Sequence, residues 1–368
     1  MRRHLVISAV NLVEGGTLTI LRESLASAAR CLGPEWDITA LVHDAALVDE
    51  PRARIVPFPT AKSSWGRRLW LEWHGFSGPS KEWNADLWLS LHDITPRVTA
   101  RRQAVYCHNP SPFYRPSWHE ARLDPKFKLF TMFYLRLYKS FIRRNHMVIV
   151  QQQWLRDAFR RHTGHPNILV AYPGLAPAAT AAAAPLRHPE PGRPLRLLYP
   201  SLPRVFKNME TPCAAVAMLP PEVAAGVDLR LTLDGTANAY DRELVERFGG
   251  TPGISFIGRQ DRDAMMREYR DCDMVLFPSR LETWGLPISE AKSFAKPLLV
   301  ADLPYAHETV GTYADVSFLP PDDAAAWAGA FAAAAQGRWT PEGQDAALPD
   351  PPFARDWPQL WAELVDGL

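Results

Sequence analysis

Short apolar runs alternate along this chain with segments in which apolar residues recur every three or four positions. Runs of four to eight residues bounded by turn residues read as strands, and their alternation with helical periods is the pattern of an α/β protein with mainly parallel sheets. In the first half, strands are predicted over residues 5–10, 38–42, 87–89, 104–107, 147–150 and 168–170. Between the first two, Leu18, Leu21, Leu25, Ala28 and Leu32 share one helix face. A second series is predicted over 195–199, 229–233, 254–257, 274–277, 298–300 and 316–319, so each half has strands enough for its own sheet. Between the halves, residues 176–194 are rich in Ala and Pro with little to bury and read as a linker. The expected division therefore falls near residue 180, giving domains 1–180 and 181–352. The tail, 353–368, carries Trp357, Leu360, Trp361, Leu364 and Leu368 at helical spacing, an amphipathic helix that needs a surface to cover.

Composition agrees with two domains, since 368 residues is long for one core. The 41 basic residues nearly match the 40 acidic ones, which argues against a nucleic-acid partner held by global charge. An anionic ligand must then be met by local groups. Cys31, Cys107, Cys213 and Cys272 lack paired short spacing, so neither a zinc knuckle nor a disulfide framework is indicated and a reduced, cytoplasmic setting is expected. The apolar start stops at Asn11, too short for a signal core. No stretch approaches the roughly 20 apolar residues of a membrane span, so any association with the cytoplasmic face of the inner membrane is expected to be peripheral.

The chemistry concentrates between Phe277 and Lys292. A strand ends at Phe277, a loop containing Gly285 follows, and Pro287 stands where a first helical turn begins. Backbone N–H groups at such a helix start suit phosphate oxygens, and Gly285 lets a ligand approach because no Cβ intervenes. Glu282 and Glu290 flank this turn, one in the loop and one near the end of the first helical turn. An ionised carboxylate only accepts hydrogen bonds, so its fitting partners are sugar hydroxyls rather than phosphate. A nucleotide sugar carries diols at both ends of a diphosphate and suits the spacing. Arg204 and Lys207 follow the strand 195–199, and two cations three residues apart can clamp a diphosphate.

The run from Glu282 to Glu290, with Thr283, Trp284, Gly285, Leu286 and Pro287 inside it, resembles the E-x7-E signature of the retaining glycosyltransferases of family 4. Flanking stretches agree: Ile254 to Gly258, Arg267 to Asp273, Ala295 to Asp302 and His307 to Gly311 follow the family order. The resemblance is specific from about Leu195 to Pro321 and weaker before it. It implies the GT-B fold: two Rossmann-like domains facing across a deep cleft, with a C-terminal helix, 353–368, crossing back to the N-terminal domain. It also implies that Glu290 binds the ribose hydroxyls and Glu282 the donor sugar. Thr283 and the backbone of Trp284, Gly285 and Leu286 would lie near diphosphate and sugar, Arg204 and Lys207 would neutralise the leaving phosphates, and Arg259 would join the donor site. Tyr199-Pro200-Ser201 departs from the glycine many members carry there.

In the first half, Gly15-Gly16 follows the first strand; the resemblance places Gly16 near the donor diphosphate or the acceptor, although a simple turn uses the same residues. His108 and Asn109 end another predicted strand; the resemblance places His108 near the donor sugar as a catalytic candidate, with His92 and Asn109 expected on the acceptor side. Two aromatic and basic stretches, 65–74 and 126–144, suit a membrane interface or a lipid-linked acceptor; a helix beside a parallel sheet also buries such residues, and both readings stand.

The expected function is transfer of a hexose from a nucleotide-diphosphate sugar, GDP-mannose-type first, to a saccharide or lipid-linked saccharide acceptor in polysaccharide or glycolipid assembly. No cofactor and no metal are expected, because no D-x-D follows a strand and the basic pair takes the cation's place. The rivals are a nucleotide-sugar epimerase of the same fold and a non-catalytic nucleotide-sugar-binding protein.

Overall fold

The apolar run that opens the chain becomes β1 (Arg3–Ala9), an inner strand of an eight-stranded sheet in which every pairing is parallel. The computed structural model describes residues 2–174 and 193–368, and these group into two units. The expected linker and the division near 180 fall almost wholly outside the described residues. The first unit takes in residues up to Phe113, a segment starting at Met132, and Pro349–Leu368; the second takes in Tyr114–Thr131 and the chain up to Leu348. Residues 114–131 therefore depart from the simple N-terminal assignment, as their apolar side chains pack within the second unit: Phe127 lies 5.0 Å from Phe206, ring to ring.

The first sheet contains β1, β2 (Trp36–Val42), β3 (Ala53–Pro57), β4 (Ala85–Ser90), β5 (Ala100–Cys107), β6 (Met147–Val150) and β7 (Ile168–Ala171). Its order is Phe353–Ala354, β7, β6, β5, β4, β1, β2, β3. The strands at its centre are buried on both faces, which is why they read as unbroken apolar runs. Two members escaped the sequence pattern. Strand β3 is half-exposed at one edge, and Phe353–Ala354 has only two residues.

The helix Gly15–Cys31 buries Leu21, Leu25 and Ala28 as its periodicity predicts. The tail helix, Trp357–Val365, lays Trp357, Leu360, Trp361 and Leu364 into the same core. Its approach is fixed by Arg156, whose guanidinium donates to the carbonyls of Asp350 (2.7 Å) and Pro352 (3.0 Å).

The second unit holds a six-stranded parallel sheet: β8 (Leu195–Tyr199), β9 (Val227–Leu231), β10 (Ile254–Phe256), β11 (Met274–Phe277), β12 (Leu298–Ala301) and β13 (Val316–Leu319). Its order is β10, β9, β8, β11, β12, β13. The chain works outward from β8 to β10 and then returns to the other side of β8. Strands β8 and β11 thus flank the point where the winding reverses, where ligands of such sheets bind. No helix among the described residues is long and apolar enough to cross a membrane.

One element of the first unit conflicts with ordinary burial rules. The helix Trp65–Trp70 runs on into a π-helical turn, Leu71–Gly75, and this carries Glu72 fully inside. Burial pushes the Glu72 carboxyl up from 4.5 to about 8, against the opposing pull of the Arg68 guanidinium. Burial, with Arg68 nearby, holds His92 well below its usual value. Their 3.1 Å contact at neutral pH is therefore one between neutral groups rather than an ion pair.

The sign of the resulting pH dependence follows. Below about pH 4.5 Glu72 is protonated in folded and unfolded chains alike; between there and about 8 only the unfolded chain ionises, so stability is lost as pH rises through this window. Glu72→Gln removes that loss. Thermal melting should show the variant gaining on the native protein steadily from pH 5 to pH 8.5, and parallel curves would contradict the assignment.

Candidate functional site

Two loops leave the carboxyl ends of β8 and β11, and buried hydrogen bonds join them. Asn208 adopts a left-handed conformation, φ 56°, which Asn tolerates better than most residues. Its side-chain amide donates to the carbonyls of Pro278 (3.0 Å) and Pro321 (2.6 Å) and its oxygen accepts from Thr211 (2.6 Å). The Arg280 N–H donates to the Phe206 carbonyl at 2.8 Å, and the buried Tyr199 hydroxyl donates to the Lys207 carbonyl at 2.6 Å. The β8 loop and the β11 loop thus behave as one block.

Within that block Lys207 and Glu282 meet as an ion pair between Nζ and Oε1, with 15% and 13% of their side chains exposed. The pair is sheltered enough for its charges to be felt strongly and open enough for a ligand to reach. Lys207 Nζ also lies 5.4 Å from the Phe277 ring and 5.6 Å from that of Phe206, cation–π contacts that hold the ammonium at the strand end.

Gly285 precedes the helix Leu286–Ser293 with φ +83°. A Cβ there would press on the Phe277 ring at 3.1 Å and on Ile288 at 3.3 Å, and the positive φ favours glycine in its own right. The turn is braced on both sides, by Trp284 Nε1 donating to Ser289 Oγ at 3.0 Å and by the Thr309 hydroxyl donating to the Trp284 carbonyl. On this helix Glu290 accepts from the Tyr269 hydroxyl at 2.6 Å. Tyr269 is buried, stacked on Phe294 at 5.4 Å, and burial beside Glu290 keeps its hydroxyl protonated well above the usual range.

The remaining donor-side candidates are spread more widely. Thr283 is half-buried in the loop and Leu286 is exposed at the helix start. Arg204 is exposed, and its carbonyl accepts from the Lys207 N–H at 2.8 Å, which sets the spacing of the two cations. Arg259 is exposed after β10, two strands away from β8. Arg280, at the head of the motif, is committed elsewhere: its guanidinium binds Glu210 at 2.8 Å and Asp322 at 2.7 Å, with Glu120 at 3.6 Å. Tyr199, Asn208 and Tyr269, which sequence reasoning did not single out as site residues, prove to be its supports. Only Asn208, a residue type at home with positive φ, carried a sequence signal for that part. Among the described residues no group of three or more His, Cys, Asp or Glu side chains could hold a metal ion.

In the first unit the left-handed residue at the start of the helix is Gly15, φ +60°, and Gly16 lies inside the first turn. His92 presents no surface, for it is fully buried with Nε2 2.9 Å from Ser8 Oγ and 3.1 Å from Glu72. That burial removes it from reach of an acceptor. His108 is half-buried, stacked on Tyr106 at 4.5 Å. Its Nε2 lies 3.0 Å from the Leu91 carbonyl, so Nε2 carries the proton, and Nδ1 is left as an acceptor with no hydrogen-bond partner among the described residues. Burial lowers its pKa and keeps the ring neutral. Asn109 builds the turn, its side chain accepting from the Ser111 N–H at 3.0 Å. Both residues are positioned by Asp93, φ +71°, whose carboxylate accepts from the His108 and Asn109 N–H groups and from the Tyr134 and Tyr138 hydroxyls.

Residues 191–343 match the family model described as glycosyl transferases group 1. No curated protein matches the sequence. Among solved structures, sucrose-phosphate synthase from Thermosynechococcus elongatus is similar at 16% identity and a TM-score of 0.60, over 92% of this chain and 94% of its own. HepE from Anabaena, solved with UDP-glucose, gives 17% and 0.58 over 91% and 93%. A glycosyltransferase from Rickettsia africae gives 12% and 0.64 over the whole of both chains. The Lys207–Glu282 pair thus lies inside the stretch that matches group 1 glycosyl transferases, in a chain whose two parallel-sheet units have the GT-B fold.

Proposed function

We propose that this protein is a retaining, metal-independent glycosyltransferase that moves a hexose from a nucleoside-diphosphate sugar to a saccharide or lipid-linked saccharide acceptor. The observation that carries the reading is the Lys207–Glu282 pair beside the Gly285 turn, at the reversal point of the second sheet. In this reading Lys207 and Arg204 meet the leaving diphosphate, with the backbone of Trp284, Gly285 and Leu286 donating to its oxygens. Glu282 accepts from hydroxyls of the hexose, and Glu290, steadied by Tyr269, from the ribose diol. The Anabaena neighbour solved with UDP-glucose supports the donor class. The His108-Asn109-Pro110 element and Trp284 put a GDP-mannose-type donor first. In the first unit, the half-buried His108 is the residue this reading puts nearest the donor sugar.

In the proposed reaction the bond between the anomeric carbon and the diphosphate breaks and charge builds on the departing oxygens. Preorganised cations and N–H groups stabilise that charge more than they stabilise the bound donor, which is the source of the rate. The acceptor oxygen attacks from the face the diphosphate leaves, and its proton passes to the departing phosphate. No carboxylate is assigned as nucleophile.

Thermal-shift screening tests the donor: GDP-mannose is expected to raise the melting temperature more than UDP-glucose at equal concentration, and no response to any nucleotide sugar would remove the reading. Lys207→Ala should lower kcat by about 10²- to 10³-fold in a protein that still melts cooperatively. Turnover should survive EDTA, and donor conversion without acceptor would favour an epimerase. Tyr269→Phe should raise the KM for the donor about fivefold through loss of one hydrogen bond to Glu290, with kcat little changed.

A further inference from the structure

The first unit carries a surface that its own fold leaves uncovered. Along the helix Pro125–Lys139, Tyr134 and Tyr138 turn inward to Asp93, whereas Met132, Phe133, Arg136 and Lys139 are exposed. The Trp65–Trp70 helix lies beside it, with the Trp65 ring 6.1 Å from Tyr134. Phe141, in the turn that follows, meets Trp73 at 5.7 Å. Met132 and Trp70 are 57% and 50% exposed, and Trp65, Phe133 and Phe141 are exposed with them, so what stands out is the number of large apolar side chains carried by these two neighbouring segments.

The charges around these rings have one sign. Residues 125–145 contain no Asp or Glu, and neither do residues 51–71, in a chain whose overall balance is 41 to 40. Arg67 stacks over Trp70 at 4.9 Å and Arg136 over Phe133 at 5.1 Å, each cation beside an exposed ring. A cavity of about 440 Å³ beside these residues is lined by Lys139, Phe141 and Arg143 together with Ile142, His162 and Thr163. Aromatic rings seek the boundary between headgroups and acyl chains, long cationic side chains reach the phosphates around them, and the absence of acids removes the repulsion an anionic surface would otherwise meet.

We propose that this face docks on an anionic phospholipid bilayer, with Trp70, Met132 and Phe133 entering the interface and Arg136, Lys139 and Arg143 binding lipid phosphates. The inference does not depend on the donor chemistry, and its test reads binding rather than activity, so the two stand or fall separately.

The test is flotation of the full chain with vesicles of phosphatidylcholine alone or mixed with phosphatidylglycerol. Binding is expected only to the mixed vesicles and should fall as salt rises. Replacing Arg136, Lys139 and Arg143 with Gln should lower partitioning on the order of a hundredfold, from about fivefold per charge. A Trp70→Ala, Phe133→Ala variant should lose at least tenfold with its cations intact. Native melting curves for both variants keep the comparison sound. No binding to anionic vesicles, or binding unchanged in either variant, would overturn the proposal. So would self-association through this face, seen as a dimer in sedimentation that Phe133→Glu converts to monomer.

Discussion

The buried side chain of Asn208 is the constraint on which the second unit's site depends. One amide ties the loop after β8 to the loop after β11 and to Pro321. Leaving such buried carbonyls without a donor costs on the order of 1–3 kcal/mol each, so the two loops cannot drift apart cheaply. Everything nearby inherits that rigidity. Lys207 is the next residue back, Arg280 is held by the same strand-end contacts, and Glu282 follows two residues later. An ion pair built on independent loops would spend much of its energy ordering them. Here the ordering is done by neutral hydrogen bonds, and the charges are left to act on a ligand.

The two sheets reverse their winding in the same manner, yet the ends of their central strands differ in chemistry. At β8 and β11 opposite charges stand partly open to solvent. At β1 and β4 Ser8, His92 and Glu72 are buried and neutral, beside the buried Arg68 guanidinium, which donates to the His92 carbonyl at 2.7 Å. Asp93 supplies a half-buried carboxylate with a full set of donors there, and its effect is to orient His108 rather than to meet a ligand itself.

Much of this was legible in the sequence because fully buried parallel strands leave unbroken apolar runs; β6, β8, β11 and β13 coincide with theirs. Strand β3 was not legible, since a half-exposed edge carries no such run. Lys207, Glu282, Gly285 and Glu290 stood out because their spacing around one turn is local. The burial of His92 was invisible, because it depends on Glu72 and Ser8, which lie 20 and 84 residues away, and on a π-helical turn that no periodicity announces. The commitment of Arg280 to Glu210 and Asp322 was hidden for the same reason.

The return of the tail to the first sheet has a consequence for how the protein is made. Phe353–Ala354 supplies an edge strand beside β7, and the helix Trp357–Val365 covers the core against Gly15–Cys31. Chains emerge from the ribosome beginning at the N-terminus, and domains ordinarily fold in that order. Here the first unit waits with an apolar surface open until its last twenty residues have been synthesised. The second unit, whose sheet is encoded without interruption, is free to finish ahead of it.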